Sequence, residues 1–118
     1  MSVFDRFYDK DVLVQKTFEI ECNLFDRLEF LSENIYDASI SKLINACIDE
    51  LVETENIKLY PKDDNELYTK HSLILRRYSI DNLEKLKVKY GLSVYKLINI
   101  AIKNVLNELD EESENTSN

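Results

Sequence analysis

The sequence predicts a mostly α-helical fold in which a unit of one strand and two helices occurs twice. The repeat is the first observation: SKLINACIDELV at 41–52 and YKLINIAIKNVL at 95–106 share Lys, Leu, Ile and Asn at equivalent places. Composition is the second, because one glycine and one proline in 118 residues are too few for the tight turns of sandwiches and barrels. A chain of this length can bury only one modest core.

Residues 1–14 lie outside the repeat. Their charges begin too early for a secretory signal, and no apolar run in the chain approaches the about 20 residues of a membrane span. We therefore expect a soluble, cytoplasmic protein. Within this extension Ser2 and Asp5 are suited to cap a short helix, which would either pack over the protein's own core or contact a partner.

The first unit is predicted at 15–53. Apolar residues alternate in TFEIECN at 17–23, which is typical of a strand. The period then changes to 3.6 residues, which predicts one helix at 24–36 and another at 41–52. The unit is therefore a strand followed by two helices.

The second unit is predicted at 70–109 and has the same order. SLILRRYS at 72–79 predicts its strand, and the helical period gives helices at 80–90 and 95–106. A polar linker at 54–69 joins the units, and its sixteen residues extend to at most about 50 Å. That length allows the strands to pair within one chain or between two chains, and effective concentration favours one chain.

The turns inside the two units are expected to match. Gly91 suits the left-handed conformation that ends a helix, and Asp37 is expected to take that conformation in the first unit. Ser39 and Ser93 then stand at the N-cap positions of the two second helices.

An offset of 55 residues aligns the two strands. It places Phe18 with Leu73 and Ile20 with Leu75, so these side chains are expected on the buried face. The offset falls to 54 after the turn between the helices. Residues 110–118 are acidic, have no apolar period and are predicted to be disordered.

The order of strand, helix and helix resembles the ribbon-helix-helix family of MetJ/Arc-type DNA-binding proteins. The resemblance covers 15–53 and 70–108, and its most specific stretch is IDNLEKLKVKYGLSVYKLINIAIKNVL. Members of this family are normally homodimers of one unit. The resemblance therefore implies two fused units that form a pseudo-dimer, with a two-stranded antiparallel β-ribbon and four core helices.

The resemblance implies that the ribbon enters the major groove of double-stranded DNA, as in a transcriptional repressor of bacteria, plasmids or phages. The outward residues would read bases: Gln15, Thr17, Glu19, Lys70, Ser72, Ile74 and Arg76. The residues expected at phosphates lie at or near helix starts: Ser39, Lys42, Arg77, Ser93 and Lys96. Two or more chains are expected to associate on DNA. Repression, plasmid segregation and conjugative transfer remain open because they share this fold.

Charge argues against a simple DNA-binding surface, since the net charge is −8. Residues 14–53 hold 3 basic and 9 acidic side chains, whereas residues 68–109 hold 8 basic and 3 acidic ones. One interpretation is that the two halves contribute unequally to DNA binding. The other is a protein-interaction module, such as an antitoxin or a phage-type inhibitor, whose acidic half binds a basic partner.

No catalytic centre, cofactor or metal site is expected. His71 is the single histidine, the single glycine excludes a glycine-rich phosphate loop, and the carboxylates are spaced as on solvated helix faces. Cys22 and Cys47 have no partnering histidine cluster, and we interpret both as small core residues.

Overall fold

Two strands and four helices make up the computed structural model, which describes residues 12–61 and 65–116. In chain order they are β1 (Leu13–Glu21), α1 (Cys22–Asn34), α2 (Ile40–Thr54), β2 (Tyr68–Arg76), α3 (Arg77–Tyr90) and α4 (Val94–Thr116). The expected mostly helical fold with one two-stranded antiparallel sheet is confirmed. The helix predicted from Ser2 and Asp5 lies outside the described residues.

The strands begin earlier than their apolar patterns suggest. β1 starts at Leu13 and β2 at Tyr68, and in each half a helix begins at the residue directly after the strand. The inward side chains are the predicted ones, since Phe18, Ile20, Leu73 and Leu75 are at most 4% exposed. Polar residues such as Gln15 can extend the strands because the backbones of the two paired strands hydrogen-bond to each other whatever the side chain.

The predicted caps are confirmed at three positions. The hydroxyls of Ser39 and Ser93 accept hydrogen bonds from the amides of Lys42 and Lys96 at 3.2 and 3.1 Å. Gly91 ends α3 in the left-handed region with φ +68°. Each cap satisfies backbone groups that a helix terminus leaves unpaired.

The prediction for Asp37 is wrong. The helix α1 ends in a right-handed conformation at Ile35, whose amide donates to the carbonyl of Leu31. Within 12–61 and 65–116, the one non-glycine residue with positive φ is Glu55, after α2. The longer turn of the first half therefore reverses direction without the left-handed residue that the tighter turn at Gly91 requires.

Residues 110–116 of the acidic tail are helical where the sequence predicts disorder. The helix α4 continues from Val94 to Thr116 with no glycine or proline to stop it. Leu109 packs against the core, and the carboxylate of Asp110 binds the guanidinium of Arg27 at 2.6 and 3.2 Å. These contacts with the first half hold a segment whose own composition is unfavourable for order.

The core lies between the inner face of the ribbon and the four helices. Equivalent residues of the two halves occupy it, and each is at most 2% exposed: Leu28 and Leu83, Ile44 and Ile98, Ile48 and Ile102. Cys47 is buried here as expected, and burial raises the pKa of its thiol to about 12. Cys22 is only half-buried at the start of α1.

One asparagine attaches each strand to the second helix of the other half. Asn45 in α2 donates to the carbonyl of Ile74 at 3.2 Å and accepts from the amide of Arg76 at 3.2 Å. Asn99 in α4 donates to the carbonyl of Glu19 at 3.0 Å and accepts from the amide of Glu21 at 3.0 Å. A two-stranded sheet has two open edges, and these amides occupy both of them.

The link between the halves is anchored on α4. The hydroxyl of Tyr60 donates to the side-chain oxygen of the buried Asn104 at 2.6 Å, and the amide of Asn104 donates to the carbonyl of Asn56 at 2.8 Å.

No helix among residues 12–61 and 65–116 is long and apolar enough to cross a membrane.

Candidate nucleic-acid interface

The strand register brings six of the predicted base-reading residues together on the outer face of the ribbon. Residues that face each other across an antiparallel pair lie on the same face. Three such pairs lie side by side with all six residues exposed: Gln15 and Ile74, Thr17 and Ser72, Glu19 and Lys70. The opposite face carries the buried side chains, so this outer face is the one open to solvent.

The outer face offers several kinds of contact. The amide of Gln15 donates to the hydroxyl of Ser72 at 2.8 Å, which holds both groups across the strands. Ile74 is 49% exposed and provides an apolar contact. Glu19 and Lys70 add opposite charges directly across the ribbon. Hydrogen-bond donors, acceptors and an apolar group therefore stand within one small surface.

Arg76 is placed differently from the other six. It faces Leu13 at the end of the ribbon, and its guanidinium is ion-paired with Asp49 in α2. The hydroxyl of Ser79 donates to the same carboxylate at 3.3 Å. The guanidinium is thus directed towards the second helix of the first half, and it is not grouped with Lys70 on the outer face.

A cleft borders the ribbon at the start of α2. It has a volume of about 490 Å³, and its lining includes Ser39, Lys42 and Ile74. The exposed Lys42 adds positive charge to the unpaired backbone amides of the helix terminus. Two of the residues predicted at phosphates therefore lie beside the outer face of β2.

An equivalent cleft borders the ribbon at the start of α4. It has a volume of about 430 Å³, and its lining includes Ser93, Lys96 and Glu19. The fifth residue predicted at phosphates, Arg77, is exposed at the first position of α3 and its amide donates to the carbonyl of Val12 at 2.8 Å. The start of α2 therefore lies beside β2, and the start of α4 lies beside β1.

Lys103 and Glu66 line the second cleft, and the buried Glu21 lies against Lys103. The ammonium of Lys103 lies 3.1 Å from Glu21 Oε2 and 3.3 Å from Glu66 Oε1. Burial opposes the charge of Lys103, but the two carboxylates outweigh it and raise its pKa. Burial and the hydrogen bond to Glu66 likewise raise the pKa of Tyr68. These groups hold one another at the edge of the ribbon.

The predicted site residues included neither the crossing asparagines nor Asp49, Lys103 and Glu21 of the ion pairs beside them. The signal for Asn45 and Asn99 was present, because both copies of the repeat contain Lys-Leu-Ile-Asn. The same alignment sets Asp49 against Lys103, which is a reversal of charge. Their partners on the strands could be identified only after the register was known.

Comparison with protein-family models, with curated proteins and with solved structures found no match for this chain.

Proposed function

We propose that this chain is a sequence-specific DNA-binding protein that acts as a transcriptional repressor. The observation that carries the proposal is the outer face of the ribbon, where six exposed side chains lie between two serine-capped helix starts. A two-stranded ribbon fits the major groove of B-DNA, and helix starts on both sides suit the flanking phosphates. The resemblance to the ribbon-helix-helix family supports the same geometry.

Two fused units in a pseudo-dimer account for the internal correspondence of contacts. Under the offset of 55, Thr17 is equivalent to Ser72, and these two residues face each other across the ribbon. Every other pair in the register then maps onto a second pair, such as Gln15 and Ile74 onto Lys70 and Glu19. A homodimer would have this relation between two chains, and we propose that the fusion keeps it within one.

The outer face is not symmetric in chemistry, so the proposed DNA site is not a palindrome. Gln15 stands where the second half has Lys70, and Glu19 stands where it has Ile74. Lysine donates to guanine, glutamine pairs with adenine, glutamate accepts from cytosine and an aliphatic side chain contacts the thymine methyl group. Each half would therefore read a different set of bases.

The proposed division of charge explains how an acidic chain binds DNA. The second half supplies most of the long-range attraction with 8 basic and 3 acidic side chains, and the first half contributes mainly at its helix start and strand. The affinity for DNA should then fall only moderately as the salt concentration rises, because few phosphates are contacted. Two or more chains on successive turns of the duplex would add contacts without adding charge to each.

The test is fluorescence anisotropy of the full chain with the DNA upstream of its own gene, a scrambled duplex and two salt concentrations. We expect preference for the native sequence and weaker binding at higher salt. Equal binding to both duplexes, or binding to neither at low salt, would overturn the proposed sequence-specific function.

Two exposed lysines of the second half provide a matched pair of variants. Lys70→Ala removes a side chain from the outer face, and we expect about a tenfold loss of affinity. Lys85→Ala removes the same charge from α3, away from the ribbon, and should change affinity little. Equal losses would show that net charge matters and that the ribbon does not.

A protein-interaction module is the second candidate, and the surface of α1 favours it. Phe30 is 58% exposed there, beside the exposed carboxylates of Asp26 and Glu33. An apolar group within acidic ones suits a basic protein partner. On this reading Asp26→Lys with Glu33→Lys would abolish capture of the partner, while Lys70→Ala would leave it intact.

A further inference from the structure

Two ion pairs cross between the halves at equivalent places. Arg76, at the end of β2, binds Asp49 in α2, and Glu21, at the end of β1, binds Lys103 in α4. The offset of 55 relates Glu21 to Arg76, and the offset of 54 relates Asp49 to Lys103. At one crossing the strand is positive and the helix negative, and at the other the signs are reversed.

Both crossings are built into the structure. Ser79, which is 1% exposed, donates to the carboxylate of Asp49 at 3.3 Å. The side chains of Lys103 and Glu21 are 20% and 7% exposed, and Glu66 adds a second carboxylate to Lys103 at 3.3 Å. The charges of Lys103 and Glu21 are therefore far removed from water and interact strongly with whatever stands opposite them, whereas Asp49 and Arg76 are 44% and 33% exposed and interact through more solvent.

The backbone register and the crossing asparagines do not distinguish one half from the other. The backbone register is centred on Thr17 and Ser72, and a strand could pair with its own copy in the same way. The crossing amides are asparagines in both halves, so Asn45 could hold a copy of β1 as Asn99 does. A preference for the other half therefore depends on side chains that differ between the halves, and the ion pairs at the crossings are such side chains.

Pairing of identical halves from two chains would place like charges together at both crossings. With two first halves, Glu21 would meet Asp49 of the second copy. With two second halves, Arg76 would meet Lys103. The net charges of the halves oppose the same pairings, because one half is acidic and the other basic. Like charges in contact at an interface disfavour that partner by a large factor.

We propose that the reversed polarity of these two ion pairs makes each half select the other half as its partner and reject a copy of itself. The surface concerned is the contact between strand ends and second helices, and its fitting partner is a half of opposite polarity. Pairing within one chain and exchange of opposite halves between two chains both satisfy this rule. The inference does not depend on DNA binding.

A cysteine at position 17 reports on pairing directly. Backbone groups of Glu19 and Ile74 bond to helix asparagines, so the outward pairs are the non-hydrogen-bonded ones, where side chains approach closely. In a chain with Cys22→Ser and Cys47→Ala, Thr17→Cys faces Ser72 and forms no disulfide. Two first halves would set one introduced cysteine against another and give a covalent dimer.

The experiment compares this reporter chain with the same chain carrying Asp49→Lys and Arg76→Glu. The double change keeps an ion pair at the crossing but gives both crossings the same polarity, so identical halves become compatible. Each protein is unfolded at high concentration, refolded and oxidised, and covalent dimer is quantified on a non-reducing gel. We expect about tenfold more dimer from the variant.

Three control variants separate polarity from loss of stability. Asp49→Glu with Arg76→Lys keeps the polarity and should give the dimer level of the parent. Ile48→Val weakens the core without changing charge and should do the same. Asp49→Asn with Arg76→Gln replaces both charges by neutral amides, which removes the repulsion, and it should give an intermediate level even if the reversed variant does not fold.

Equal dimer from the parent and from the neutral variant would overturn the proposal, as would abundant dimer from the parent itself. Increased dimer from Ile48→Val to the level of the charge variants would also overturn it, because instability alone would then be sufficient. Chains that exchange opposite halves place Thr17→Cys against Ser72 and remain uncrosslinked, so they do not contribute to the signal.

Discussion

The two halves of the molecule are alike in their core and unlike in their charges. Ile44 and Ile98 are both fully buried, and Asn45 and Asn99 make the same contacts with the strand of the other half. At the neighbouring positions Asp49 and Lys103 carry opposite charges. Residues that pack in the core or bond to the edges of the ribbon are therefore the same in both halves, whereas the charges beside them are reversed.

The two ion pairs also differ in their access to water. The side chains of Asp49 and Arg76 are 44% and 33% exposed, whereas those of Glu21 and Lys103 are 7% and 20% exposed. Solvent screens the first pair and stabilises its members if they separate. The second pair has no such alternative, so the halves should respond unequally to loss of one charge.

The largest expected effect is on the shared core. Ile44→Ala and Ile98→Ala should each lower the free energy of unfolding by about 2–5 kcal/mol, because both remove a fully buried side chain and leave a cavity. Urea denaturation measures both. A loss at only one position would show that the halves are not equivalent in packing.

The second prediction concerns the unequal ion pairs. Lys103→Met should lower stability by about 3–5 kcal/mol, since it leaves Glu21 and Glu66 buried beside an apolar side chain. Asp49→Asn should lower it by less than about 1 kcal/mol because that pair is partly solvated. Thermal denaturation of the two variants would contradict this ranking if the losses were equal.

The third prediction tests the crossing asparagines. Asn45→Ala and Asn99→Ala should each lower stability by about 1–3 kcal/mol, because strand backbone groups lose their partners. Amide hydrogen exchange should accelerate at Arg76 in the first variant and at Glu21 in the second. Faster exchange at both amides in either variant would mean that the contacts act as one unit.

The smallest effect is expected at Glu55, which has no counterpart contact in the other half. Hydrogen bonds from Lys89 at 2.6 Å and from Tyr90 at 2.8 Å lower its pKa. A lowered folded pKa adds stability above the ordinary value of 4.5, and this stability is lost as the pH falls through the folded pKa. Melting curves of the parent and Glu55→Gln should therefore differ slightly near neutrality and converge in acid.

Much of the architecture could be predicted from local patterns. Alternation identified the buried face of each strand through Phe18 and Leu73, and the serines before α2 and α4 marked their first turns. Such signals depend on neighbours a few residues away. The predictions for the end of α1 and for the residues after 109 were wrong. The conformation of Asp37 depends on the length of its turn, and the helix at Asp110 is held by contact with Arg27.

The sequence by itself determined that a strand and two helices occur twice, which residues of each copy are apolar and how charge is divided between the copies. Only the tertiary structure decided which charges meet. Arg76 lies 27 residues from Asp49 along the chain, and Lys103 lies 82 residues from Glu21. Periodicity extends over single elements, whereas contacts at such separations depend on strand register, and register is set by the packing of the whole core.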